Sequence, residues 1–130
     1  MKILLTGHDG YIGAVLMPML KRAGHTVRGV DTKLFDGCDF GRYAIAGREV
    51  RGDVRDLDGS HFEGMDAVVH LAAISNDPLG NLNPDCTYDI NHKASVLLAE
   101  LAKEAGVTRF LYASSCSIYG AKSQEDVLDE

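Results

Sequence analysis

The stretch that decides the fold is Lys2-Ile3-Leu4-Leu5-Thr6-Gly7-His8-Asp9-Gly10-Tyr11-Ile12-Gly13. Lys2 to Thr6 is a short aliphatic run that stops at glycine, the pattern of a parallel strand buried on both faces. Gly7, Gly10 and Gly13 then recur at intervals of three. Tyr11 to Ala23 carries apolar residues at helical spacing and closes at Gly24, so the glycines occupy a strand-to-helix turn. On such a turn Gly7 permits the sharp bend, Gly10 lets backbone approach a pyrophosphate, and Gly13 lets the helix lie close on the strand. The helix dipole and its orphan N–H groups face the anion. Three glycines alone would be a weak signal in a chain with 14 of them among 130 residues. Their place, after a strand and at the head of a βαβ unit of roughly thirty residues, makes a dinucleotide site the preferred reading over a plain packed turn.

Working outward, His25 to Val30 reads as a second strand ending on Asp31, 18 residues after Gly13. A carboxylate there can accept from both ribose hydroxyls of an adenosine and would repel a 2′-phosphate, which favours NAD over NADP. Arg28 and Lys33 are near enough in sequence to keep NADP open. Pro18 inside the first helix is expected to kink it or loosen one turn. Residues 33–46 lack a period and read as a surface loop. Glu49 to Gly52 is a third strand, Val54 to Phe62 a short helix or turn, Met65 to Leu71 a fourth strand, and Asn76 to Pro84 a loop. A long helix is expected from Asn83 as N-cap with Pro84 at its first position, presenting Ile90, Ala94, Leu97, Leu98 and Leu101 and ending at Gly106. Val107 to Ala113 is a fifth strand, leading to Ser114-Ser115-Cys116-Ser117. Strands alternating with helices imply an α/β fold, a doubly wound parallel sheet with right-handed crossovers.

The composition narrows the function. Thirteen Lys+Arg against nineteen Asp+Glu give a net charge of −6, which disfavours nucleic-acid or anionic-membrane partners. The longest apolar runs are too short to span a bilayer, and Met1-Lys2 leads straight into the first strand without a signal-peptide pattern. Cys38, Cys86 and Cys116 are widely spaced with no CxxC pair. Free thiols in a cytoplasmic protein fit better than a disulfide framework or a zinc site, and no metal site is expected.

The start TGHDGYIG resembles the TGxxGYIG opening of the extended short-chain dehydrogenase/reductases, the NAD-dependent epimerase/dehydratase family with its Rossmann fold. Four further segments agree in order and spacing: Asp53-Val54 in GDVRD, His70-Leu71-Ala72-Ala73, Asn91 in the long helix, and Ser114-Ser115-Cys116-Ser117-Ile118-Tyr119-Gly120. The resemblance implies that Tyr11 and Ile12 belong to the cofactor loop and that Asp53 and Val54 contact the adenine. It implies that Leu71, Ala72 and Ala73 line the passage of the pyrophosphate and nicotinamide ribose, with Asn91 steadying that region. It gives Ser115, four residues before Tyr119, the hydrogen bond to the reacting hydroxyl or ketone, and places Cys116 and Ser117 beside the sugar. His70 takes a structural role and His8 an incidental one. The implied substrate is a nucleotide sugar, and Cys116-Ser117 is closer to epimerases and reductases than to dehydratases.

The family's base is a tyrosine with a lysine four residues on, the lysine lowering the phenol's pKa. Here the residues four beyond Tyr11, Tyr43, Tyr88, Tyr112 and Tyr119 are Val15, Gly47, His92, Cys116 and Ser123. The chain is therefore expected to be a single, incomplete NAD-binding domain, truncated after about five strands, with the substrate domain absent and no turnover of its own. Its fifth strand is expected at an open sheet edge, inviting a homodimer or other self-association. The competing readings are a non-catalytic dinucleotide-binding regulator or redox sensor, and a fold used for protein contacts that binds no NAD.

Overall fold

In a computed structural model that describes residues 1–35, 38 and 49–115, the chain forms a five-stranded, wholly parallel sheet of order β3-β2-β1-β4-β5. The elements are β1 (Lys2–Thr6), α1 (Tyr11–Arg22), β2 (Thr26–Asp31), β3 (Glu49–Arg51), β4 (Ala67–His70), α2 (Asp77–Gly80), α3 (Pro84–Tyr88), α4 (Ser95–Glu104) and β5 (Arg109–Tyr112). Single 3-10 turns at Val54–Asp56 and Gly59–His61 join β3 to β4.

Each inner strand sends alternate residues to opposite faces, because successive Cβ atoms alternate across a strand. Leu4, Val30 and Val68 pack with Val54, Phe62, Leu98 and Ala102 under α4. Leu5 and Val27 pack with Met17 of α1, and Val69 joins that side. Both faces are thus covered, and the continuous apolar reading of β1 follows from that. The described part of the fold is Rossmann-like, as its sequence pattern implies.

The strand order has a functional consequence. From β1 the chain winds outward to β2 and β3, then returns to the other side of β1 to form β4. Ligands of such sheets bind outside the carboxyl ends of the strands at this reversal. By this rule the crevice of the present sheet falls between the turn after β1 and the segment after β4.

Several expected elements differ in detail. α1 runs unbroken from Tyr11 to Arg22 with Pro18 inside it and buried. Asn76 to Pro84, expected as a loop, contains the single turn α2, because Asn76 caps it by accepting from the Leu79 N–H at 3.1 Å. The long helix starts at Asn83, which accepts from the Cys86 N–H at 3.1 Å, but it is not uniform. Asp89–Ala94 is a widened π-type turn between α3 and α4. Such turns interrupt α-helices frequently at functional sites, and this one contains Asn91. Ala94 and Leu98 are buried while Leu97 is only half-buried, and Ala102 completes the inner face. Part of the expected loop at 33–46 lies outside the described residues.

Candidate dinucleotide-binding crevice

The turn after β1 is shaped by close backbone packing. Gly7 has φ +73°, and a Cβ on it would stand 2.7 Å from the Ala72 nitrogen. The two lips of the crevice, Gly7 and Ala72, therefore touch through backbone alone. A Cβ on Gly13 would be driven into the Gly7 carbonyl and the His8 backbone, so α1 can approach β1 only with glycine there. Gly10 is different: its Cβ would meet only the Gly7 oxygen at 3.4 Å. The fold does not require glycine at position 10.

The start of α1 contrasts with the other capped starts. Asp53, Asp58, Asn76 and Asn83 each accept a backbone N–H of the turn they open. α1 begins at Gly10 without a side-chain cap, and no acidic residue stands in its first turn. A helix N-terminus left in that condition is electrostatically suited to an anion such as a pyrophosphate. Tyr11 and Ile12 lie exposed at this start.

Asp31 ends β2 beside the turn. Its two carboxylate oxygens accept from the Asp9 N–H at 3.0 Å and the Lys33 N–H at 2.7 Å. A carboxylate has about four acceptor positions, so capacity for ribose hydroxyls remains. The cations that sequence proximity left open separate cleanly. Arg28 turns away and donates to the His61 carbonyl at 3.1 Å. Lys33 stays beside Asp31, but its Nζ lies 2.8 Å from Glu49.

His8, expected to be incidental, is a packed residue. Its ring is buried over Gly29, where an added Cβ would stand 2.7 Å from the imidazole. Among the described residues neither ring nitrogen has a hydrogen-bond partner, and Nε2 lies 3.9 Å from carboxylates of Asp9 and Glu49. The sequence does carry a signal for this, since a glycine inside a strand often marks a close approach.

Asp53 follows β3 and grips Arg55, which donates from Nε at 3.0 Å and from a terminal nitrogen at 2.7 Å. These hydrogen bonds hold the Asp53 carboxyl below its usual range. Val54 has its side chain in the core, so any contact it makes with a base falls to its backbone.

On the other lip, Leu71 and Ala72 are half-buried and Ala73 exposed. Asn91 reaches across from the widened turn and makes two bonds to Ile74. Its Oδ1 accepts from the Ile74 N–H, and its Nδ2 donates to the Ile74 carbonyl, each at 2.8 Å. A buried relay lies behind this lip. Thr6 Oγ1 stands 2.6 Å from His70 Nδ1, His70 Nε2 2.9 Å from Ser95 Oγ, and Ser95 donates to the Asn91 carbonyl at 2.8 Å. The Ala72 N–H donates to Thr6 Oγ1 at 3.4 Å. All four contacts are satisfied together if Thr6 donates to a neutral His70 that carries its proton on Nε2, an assignment made from the network. Burial pushes the His70 pKa down, in keeping with a neutral ring. His70 is thus structural in a specific sense: it ties β1 and β4 to α4. An open groove of about 430 Å³ lies beyond, between Ile74, Asn76, Thr87, Tyr88 and Asn91.

Ser115 follows β5 and is exposed. Cys116 and Ser117, like Tyr119, lie outside the described residues. Among the described residues, no cluster of three His, Cys, Asp or Glu side chains could hold a metal. None of the described helices is long and apolar enough to cross a membrane.

The arrangement agrees with known proteins. The sequence model of the NAD dependent epimerase/dehydratase family matches residues 3–130. A UDP-glucose 4-epimerase of Streptomyces lividans is 34% identical over 98% of this chain and 40% of its own length. Among solved structures, a UDP-glucose-4-epimerase from Stenotrophomonas maltophila with bound NAD and formylated UDP-arabinopyranose superimposes with a TM-score of 0.82. It is 27% identical over 98% of this chain and 40% of that one. A short-chain dehydrogenase/reductase superfamily protein from Agrobacterium tumefaciens with bound NAD is 31% identical, with a TM-score of 0.75 over 92% of this chain and 34% of that one. The chain spans about 40% of the length of the Streptomyces lividans relative. With the family model matching residues 3–130 and a relative 34% identical over 98% of the chain, the chain belongs to the NAD-dependent epimerase/dehydratase family.

Proposed function

We propose that these 130 residues act as one NAD-binding domain of an oxidoreductase whose substrate is a nucleotide sugar. The observation that carries this reading is the uncapped start of α1 behind Gly10, where the fold itself does not demand glycine. Gly7, Gly10, Tyr11, Ile12 and Gly13 would receive the pyrophosphate, Asp31 the adenosine ribose, and Asp53 and Val54 the adenine. Leu71, Ala72 and Ala73, held through Asn91, would line the nicotinamide side. NAD, when bound, supplies a hydride acceptor for oxidation of a sugar carbon.

The chain's own contribution to that chemistry is the Ser115 hydroxyl. A hydroxyl can accept from an alcohol and donate to a carbonyl, so it can hold both the reduced and the oxidised sugar. Cys116 and Ser117 would face the sugar beside it. No tyrosine of these 130 residues has a lysine four residues on, so these residues by themselves are expected to bind without turnover. β5 is the outermost strand on its side among the described residues, and its half-exposed Leu111 and Tyr112 support self-association. The free Cys38 and Cys86 suit a cytoplasmic setting.

Calorimetric titration with NAD tests the reading, with UDP-glucose added to look for reduced cofactor. Heat of NAD binding without reduction is the expected result. No heat at millimolar NAD would remove the proposal.

A further inference from the structure

The family position at the end of β2 explains why a carboxylate meets the ribose, but it leaves Lys33 unexplained. A lysine two residues beyond Asp31, whose own N–H bonds that carboxylate at 2.7 Å, is well placed to attract a 2′-phosphate. Resting on the dinucleotide reading above, we infer that Glu49 is a specificity residue: it latches the Lys33 ammonium and so keeps the site selective for NAD over NADP.

The geometry is specific. Lys33 holds a left-handed backbone, φ 59°, a conformation costly for a residue with a side chain. Its backbone turns back onto Asp31, and its side chain reaches β3. There Nζ is 2.8 Å from Glu49 and 3.9 Å from Asp9. Glu49 is in register with Gly29 on β2, the position that gives His8 room. The latch therefore closes over the same corner that the glycine turn and Asp31 form. Two carboxylates, Glu49 and Asp9, face the Lys33 ammonium there, Asp31 holds the Lys33 backbone N–H, and the buried His8 ring lies beside Asp9 and Glu49. Lys21 at the end of α1 adds a more distant attraction to Glu49. The Lys33 hydrogen bond holds the Glu49 carboxyl below its usual range, so the latch stays charged near neutral pH.

A 2′-phosphate adds up to two negative charges. It would meet the carboxylates of this corner, and recruiting Lys33 would mean breaking its ion pair with Glu49. Specificity is a difference between two affinities, so this corner acts by raising the NADP dissociation constant rather than by lowering that for NAD. Arg51 is another cation near this corner among the described residues, since β3 pairs it with Asp31.

The test is calorimetric titration of NAD and NADP into the wild-type chain, Glu49→Gln, Glu49→Gln/Lys33→Met and Glu49→Gln/Arg51→Met, each with a thermal melt. Glu49→Gln keeps the size of the side chain and removes its charge. The NADP:NAD ratio of dissociation constants is expected to fall by about tenfold at low salt, and by less at high salt where charges are screened. Lys33→Met in that background should restore the wild-type ratio. NAD binding with an unchanged ratio in Glu49→Gln would overturn the latch alone. A gain that survives Lys33→Met and disappears with Arg51→Met would overturn it too, by assigning the phosphate to β3. No binding of NAD by the wild-type chain would overturn the latch together with the dinucleotide reading.

Discussion

On the β1 side of the crevice the working surface is backbone: a left-handed Gly7, a Gly13 pressed against it, and the bare start of α1. On the β4 side the surface is set by side chains, with Asn91 clamping Ile74 and the Thr6–His70–Ser95 relay behind it. The first side is fixed by what is missing, a Cβ at two positions. The second is fixed by polar groups that must all be satisfied at once. Backbone surfaces of the first kind fail sharply when any atom is added. Polar networks of the second kind fail by degrees and depend on protonation.

The largest effect is expected on the backbone side. Gly13→Val should destabilise the chain by about 3 kcal/mol or more, since its side chain would overlap the Gly7 carbonyl. Urea denaturation measures this, and a loss below about 1 kcal/mol would show that the turn can relax. Ser95→Ala on the opposite side should cost about 1–3 kcal/mol by leaving the buried His70 N–H without an acceptor. An unaffected midpoint there would mean the relay contributes nothing.

Gly29→Ala sharpens the comparison from inside the sheet. The added methyl meets the His8 ring and should cost about 1–2 kcal/mol. Combining it with His8→Gly should recover part of that, which a double-mutant cycle would read as favourable coupling. Simple additivity would show that His8 does not occupy the space over Gly29 in solution.

The smallest effect concerns pH and belongs to the relay alone. Burial lowers the pKa of folded His70 below its ordinary value of 6.5. The unfolded chain therefore binds the proton first as pH falls. Stability due to neutral His70 is complete above 6.5 and declines below it, by at most about 1.4 kcal/mol per pH unit, levelling once the folded ring also titrates. Stability at pH 7.5 and pH 5.5 should differ more in the wild-type chain than in His70→Asn. Equal differences would contradict a buried neutral ring.

This asymmetry also governs what the sequence makes legible. The β1 side is encoded locally: spacing from Gly7 to Gly13, and then to Asp31, is enough to recover strand, turn, helix and carboxylate. The β4 side depends on partners far apart in sequence, such as Thr6 and His70 at a separation of 64 residues, which no periodicity reveals. The widened turn at Asp89–Ala94 breaks the helical period around Asn91, so the segment reads as one continuous helix. α2 was hidden for a different reason: a single turn capped by Asn76 has too few residues to show a period. Lys33 was visible as a nearby cation, but its capture by Glu49 depends on β3 lying beside β2, which sequence spacing does not give. Ser115 was legible only by resemblance to a family, because a serine-rich strand end has no distinctive spacing of its own.

The measurement that bears most directly on the central claim is NAD binding by Gly10→Val, followed by calorimetry and thermal melting on the same sample. Position 10 is the glycine that the fold can replace and the ligand should not tolerate. The expected outcome is a melting temperature close to that of the wild-type chain together with loss of NAD binding. A folded Gly10→Val chain that binds NAD as tightly as the wild type would contradict a pyrophosphate site at the start of α1.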